Sequence, residues 1–253
     1  MLDPEVAGAA ASAAPTWLPL ESNPEILNGF AKRLGCPSAW GFVDVFGLDD
    51  ELLCMIPQPC AALCLLFPSK NISKPRRAEL RARVAAAPQT ISPKLWFATQ
   101  HDDVGNACGT IATLHALSNA AAGGAFVLDS GPLSRFVERT AGMSYNERGW
   151  ALAAASELQE LSQATAASGE TEGAGTDDAQ GQHFITFVHI DGRLYELDGR
   201  TFGDDGVAFP VDHGATTGET FVSDAARVIR EDFMKRDPTS INFNITALCA
   251  FEG

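Results

Sequence analysis

Apolar residues recur along this chain with two different periods, and the switches between them outline its elements. Ile26, Leu27, Phe30 and Leu34 repeat at helical spacing. Asn23 precedes them as a capping residue, Pro24 takes the first helical position and Gly35 follows the last apolar residue, so a short amphipathic helix is predicted there. The segment Trp40-Gly-Phe-Val-Asp-Val-Phe reads as a strand. Ala61 to Phe67 is apolar without alternation, the pattern of a strand buried on both faces, and Leu95 to Thr99 reads as a further strand. Between these two lies the basic helical segment Lys74-Pro-Arg-Arg-Ala-Glu-Leu-Arg-Ala-Arg, expected to be a solvated helix face.

The clearest local pattern is HFITFVHIDGRLYELDGR, His183 to Arg200, in which Asp191-Gly192 separates two alternating runs and favours a two-residue hairpin turn. With Ile190 opposite Arg193, Ile185 falls opposite Asp198 and His183 opposite Arg200. Opposed residues share a face of the sheet, and so do residues two apart on one strand, which makes His183 and Asp198 diagonal neighbours. Diagonal positions lie roughly 7–8 Å apart between backbones, within reach of an imidazole–carboxylate hydrogen bond. Taken alone, such a pair is more often structural than catalytic.

Residues 163–182, immediately upstream, are small and polar with no large apolar anchor, so they are expected to form a structureless loop beside a site. Residues 1–15 are alanine-rich and lack the basic start and Leu/Val-rich run of a secretory signal, so they read as a disordered tail. The remainder, 16–253, is expected to be one α/β domain with its own core.

Composition narrows the class. A net charge of −14 over 253 residues repels nucleic acid and anionic membranes, and it suits a basic partner or, equally, an acidic soluble enzyme with no such partner. No apolar stretch approaches the roughly 18 residues of a membrane-spanning helix, and the expectation is a soluble protein of the cytoplasm or nucleus. The six cysteines form no C-x-x-C pair and no metal-type cluster with the five histidines, so no metal site is expected and a reducing compartment is implied. Most of these thiols lie in apolar runs, the setting of buried, inert cysteines.

Cys108 differs. The segment Asn106-Ala107-Cys108-Gly109-Thr110 opens a helical pattern carried by Ile111, Leu114 and Leu117, with Asn106 the expected cap. A thiol in a first helical turn faces the positive end of the macrodipole, which favours its thiolate when a cationic histidine is near; without such a partner a buried helix cysteine is an equal reading. His115 is too far along that helix to serve as the base, about 10 Å on. His189 lies near the hairpin turn opposite Leu194, His101 reads as a solvated loop residue, and His213 as structural.

Several motifs in one order carry a resemblance. They are Trp17-Leu-Pro-Leu-Glu21-Ser-Asn-Pro-Glu25, Trp40-Gly-Phe-Val-Asp44-Val-Phe-Gly, Glu51-Leu-Leu-Cys-Met-Ile-Pro-Gln-Pro, Asn106-Ala-Cys-Gly-Thr-Ile, the two halves of the hairpin, and Arg236-Asp-Pro. Together they resemble the small, single-domain isozymes of the ubiquitin C-terminal hydrolase family, nearly end to end. The resemblance implies a papain-like cysteine protease fold, α/β with a central antiparallel sheet flanked by helices, and a knotted backbone, itself a rare exception to the usual rules of chain connection. It also implies a monomeric deubiquitinating thiol hydrolase without cofactor.

Carried over by position, the resemblance makes Cys108 the nucleophile, His183 the general base and Asp198 the residue that orients it. The family also places a glutamine six residues before the cysteine, whereas Gln100 stands eight before Cys108. Matches on both sides imply a two-residue insertion within His101-Asp102-Asp103, with Gln100 keeping its place as oxyanion donor. The loop 163–182 would cross the cleft and admit only small or flexible leaving groups. Leu18, Pro19 and Leu20 would supply apolar contact to ubiquitin, and Glu21, Glu25 and Asp44 acidic contact. Two other readings stay open: a ubiquitin-binding protein whose catalysis the insertion impairs, and a hydrolase for another modifier such as NEDD8.

Overall fold

The computed structural model describes residues 17–169 and 181–251. The alanine-rich tail and the greater part of the polar stretch before His183 lie outside the described residues. Six strands are present: β1 (Trp40–Asp44), β2 (Cys60–Pro68), β3 (Gln182–Ile190), β4 (Arg193–Leu197), β5 (Val211–Ala215) and β6 (Asn244–Ala250). They form a single sheet in the order β1-β6-β2-β3-β4-β5, with every neighbouring pair antiparallel. The strand nearest the C-terminus thus lies between the first two, interleaving the two ends of the chain in one sheet.

Helices cover both faces. On one face the core is built around α4 (Cys108–Ala122), with α1 (Pro24–Leu34), α5 (Pro132–Arg139), α6 (Tyr145–Ala153) and α7 (Ser156–Ala166), and receives Val188 and Ile190 from β3. On the other, α2 (Asp50–Leu53), α3 (Ser69–Ala86), α8 (Phe221–Val228) and the wide turn Ile229–Phe233 enclose Ile185 and Phe187. Alternation along β3 therefore feeds two cores, which is why its sequence and that of β2 are apolar on both sides. The architecture is the α/β class with a central antiparallel sheet that the family resemblance implies.

Local signals explain the elements nearest the site. Asn23 accepts the Glu25 N–H at 2.9 Å, and Gly35 closes α1 at φ 105°. The hairpin turn carries positive φ at both Asp191 (49°) and Gly192 (76°), the handedness that matches sheet twist. Register follows: Ile190 faces Arg193 and Thr186 faces Leu197, as counted from the sequence.

Three expectations are corrected. Leu95–Thr99 is not a strand but a buried extended segment. The backbone groups at its centre pair with side chains, and the Leu95 and Thr99 N–H groups donate to the Ser92 and Tyr145 carbonyls. Trp96 N–H donates to Asn119 Oδ1 at 2.8 Å, Ala98 N–H donates to His115 Nε2 at 3.1 Å, and the Phe97 carbonyl accepts from Arg148 at 2.7 Å. Burial pushes the His115 pKa down to about 3, so the ring stays a neutral acceptor. Residues 163–166, read as the start of the loop, instead complete α7, because Thr165 and Ser162 pack inward. The basic segment of α3 is a solvated face only in part: Lys74, Arg81 and Arg83 are exposed, but two of its arginines turn inward. Arg76 is buried in a bidentate pair with Glu196, and Arg77 pairs with Asp198.

Candidate active site

Cys108 is the first residue of α4 and is buried. Ala107, not Asn106, occupies the capping position, and it supplies no side-chain cap. The thiol packs with Ala112 and Phe184. Gly109 permits this approach, since a Cβ there would lie 3.0 Å from the Leu20 Cβ and 3.3 Å from the Phe184 ring. Thr186 Oγ1 donates to the Ala112 carbonyl at 2.8 Å and ties β3 to the first turns of α4. Phe184 follows His183 directly, so these contacts bring the start of β3 against the start of the helix.

His183 is buried, and its Nε2 lies 2.7 Å from Asp198 Oδ1, the diagonal pairing expected from the hairpin. Burial alone would raise the Asp198 pKa, but the Arg77 charge, the His183 partner and the Arg200 N–H outweigh it and hold this carboxyl well below the usual range. An ionised carboxylate only accepts, so Nε2 carries the proton and Nδ1 is left as the basic nitrogen. Nδ1 is buried and takes no hydrogen bond among the described residues. The carboxylate itself is held on all sides: Oδ1 also accepts from Arg200 N–H at 2.9 Å, and Oδ2 accepts from Thr201 Oγ1 at 2.8 Å and from Arg77 Nη2 at 2.9 Å.

Gln100 belongs to the same cluster. Its N–H donates to the Gly199 carbonyl at 2.9 Å, next to Asp198, and its side-chain Nε2 donates to the Gly105 carbonyl at 3.2 Å. Arg200 Nη2 donates to that carbonyl as well, at 3.2 Å. Gly105 adopts φ 72° and ψ −136°, which a residue with a Cβ avoids, and it leads into Asn106-Ala107-Cys108. Asp102–Val104 folds into a tight turn, pinned by Trp17 N–H to the Val104 carbonyl at 3.3 Å. His101 is not a solvated loop residue: its ring stacks on Trp150 at 3.7 Å, with Nε2 3.2 Å from the Asn146 carbonyl. The segment between Gln100 and Cys108 is thus a braced turn, and Gln100 lies beside the Asp198 turn.

Arg77 and Thr201 escaped sequence reasoning. The run of arginines on α3 does not mark which of its members meet Glu196 and Asp198 across the fold. Glu196 also accepts from His213 Nε2 at 2.8 Å, and the Arg76 guanidinium lies 4.0 Å from the Phe233 ring centroid. Although burial raises it, Arg76 and His213 bring the Glu196 pKa down to about 2. Of the residues expected to touch a partner, Leu18, Glu25 and Asp44 are exposed, while Pro19 and Glu21 are half-buried. Leu20 is buried against the start of α4, so its side chain serves the core and not a surface contact. Among the described residues no helix is long and apolar enough to cross a membrane, and no group of His, Cys, Asp and Glu could hold a metal.

Residues 17–235 match the family described as ubiquitin carboxyl-terminal hydrolase, family 1. The chain belongs to that family. A ubiquitin carboxyl-terminal hydrolase of Drosophila melanogaster is 40% identical over 235 residues, covering 93% of this chain and 98% of the fly protein. Human ubiquitin carboxyl-terminal hydrolase isozyme L1 is 39% identical over 235 residues, covering 91% of this chain and 97% of the human one. The fold is that of the Trichinella spiralis UCH37 catalytic domain, solved bound to ubiquitin vinyl methyl ester, with a TM-score of 0.69 at 20% identity over 96% of this chain and 100% of that one. The hydrolase-family match takes in Gln100, Cys108, His183 and Asp198, and stops before β6.

Proposed function

We propose that the protein is a deubiquitinating cysteine hydrolase that cleaves after the C-terminal glycine of ubiquitin. The observation that carries this reading is the Asp198–His183 hydrogen bond at 2.7 Å on the strand packed against the start of α4, where Cys108 lies. His183 Nδ1 takes the thiol proton, the thiolate attacks the terminal carbonyl of ubiquitin, and the imidazolium then protonates the leaving amine. Water releases ubiquitin from the thioester in a second, similar cycle. Gln100 Nε2, with one N–H on Gly105, keeps a second N–H for the oxyanion, and the Cys108 backbone N–H is the other donor.

Leu18, Glu25 and Asp44 would meet a basic, partly apolar partner on the exposed side of α1 and β1. The polar stretch running into His183 favours small or flexible leaving groups over folded ones. Initial rates on a fluorogenic ubiquitin C-terminal amide, on its NEDD8 counterpart and on ubiquitin joined to a folded protein test the reading. Fast release from the first and slow release from the other two is expected, and no turnover of any would refute it.

The braced insertion supports an intact oxyanion site over a catalytically impaired one. Gln100→Ala is expected to lower kcat by about 10²–10³-fold, or about 2.7–4 kcal/mol, with little change in KM. An unchanged kcat would remove Gln100 from the site.

A further inference from the structure

We propose that Arg77 is a positioning residue for the hydrolase reaction, acting by clamping the outer oxygen of Asp198 so that the inner oxygen stays aimed at His183. The inference rests on the proposed hydrolase activity and assigns a role to a helix that the triad does not use. The Arg77 guanidinium meets one oxygen with two nitrogens, Nε at 3.1 Å and Nη2 at 2.9 Å from Oδ2. That leaves Oδ1 for His183 Nε2 and the Arg200 N–H. A carboxylate gripped on one oxygen by two nitrogens of a planar cation cannot rotate about its Cβ–Cγ bond without breaking both contacts. A lysine, a point charge, would hold the oxygen but not its orientation to the same degree.

What delivers Arg77 to this place is its neighbour. Arg76 is locked to Glu196 by two hydrogen bonds and lies over Phe233, which fixes the rotation of α3 against β4. Glu196 and Asp198 project from the same face two residues apart, and consecutive arginines on α3 meet them in turn. Arg77 itself is only partly covered, its side chain 23% exposed, so it stands between the catalytic pair and solvent. Its removal would open access to Asp198 Oδ2 and leave Thr201 Oγ1 as the donor there among those described.

The test is steady-state kinetics on a fluorogenic ubiquitin C-terminal amide for wild type, Arg77→Ala, Arg77→Lys and Arg81→Ala. Arg81 lies one turn further along α3 in an exposed pair with Asp204 at 3.5 Å, and its loss should leave turnover unchanged. Arg77→Ala should lower kcat by about 10- to 100-fold while KM stays within about twofold, the effect of a misaligned catalytic group. Low millimolar guanidinium chloride should restore part of that loss, whereas equal sodium chloride should not, and Arg77→Lys should fall between wild type and Arg77→Ala. A kcat for Arg77→Ala equal to wild type, or a loss that neither guanidinium nor lysine reverses, overturns the inference. Absence of turnover in wild type would instead refute the hydrolase reading beneath it.

Discussion

Asp198→Asn is expected to lower kcat on a ubiquitin C-terminal amide by about 10⁴-fold while ubiquitin affinity is nearly unchanged. The asparagine keeps the shape of the side chain but can present its NH₂ where His183 Nε2–H now donates. The imidazole then settles in the opposite tautomer, with the proton on Nδ1, and can no longer accept from a thiol. The imidazolium also loses the anion beside it. Because Asp198 is buried and its hydrogen bonds go to Arg77, His183, Arg200 and Thr201 and not to the exposed Leu18, Glu25 and Asp44, binding of the modifier should not register the change. Single-turnover rates and equilibrium binding measured on the same preparation separate the two quantities, and an unchanged rate would remove Asp198 from the triad.

Arg76→Ala is expected to destabilise the fold by about 3–5 kcal/mol at neutral pH, the usual cost of leaving a buried charge without its partner. Glu196 is fully buried, with the Arg76 guanidinium and the His213 ring its hydrogen-bond partners. Its pKa in the folded protein, about 2, lies below the ordinary 4.5. Such a depressed carboxyl contributes stability that is complete above the unfolded pKa and is lost as pH falls through the folded one. Wild type should therefore lose this contribution between about pH 4.5 and 2, and the gap between wild type and Arg76→Ala should narrow in the same window. Urea unfolding at neutral pH and at acid pH measures both. A gap that does not depend on pH would mean that Arg76 acts through packing on Phe233 and not through Glu196.

Local patterns made the first helix, the buried strands and the hairpin register legible in the sequence. The hairpin was the most informative, since one turn dipeptide fixes which residues share a face and thus pairs His183 with Asp198. What stayed hidden depends on distant partners. Leu95–Thr99 has the composition of a strand, but whether its N–H groups meet a neighbouring strand or Asn119 and His115 is decided by how α4 packs. A run of arginines looks alike whether solvated or paired. Arg76 and Arg77 are distinguished from Arg81 by the strand opposite them, more than a hundred residues away. Leu20 reads as part of a surface motif, yet the glycine at 109 lets it close over the helix start.

The central claim is that Cys108 is the nucleophile, and a ubiquitin probe carrying a C-terminal electrophile tests it most directly. Intact-mass measurement should show one probe added to wild type, peptide mapping should place it on Cys108, and Cys108→Ala should give no adduct while still binding ubiquitin. Tight binding without adduct in wild type, or an adduct that persists in Cys108→Ala, would contradict the account.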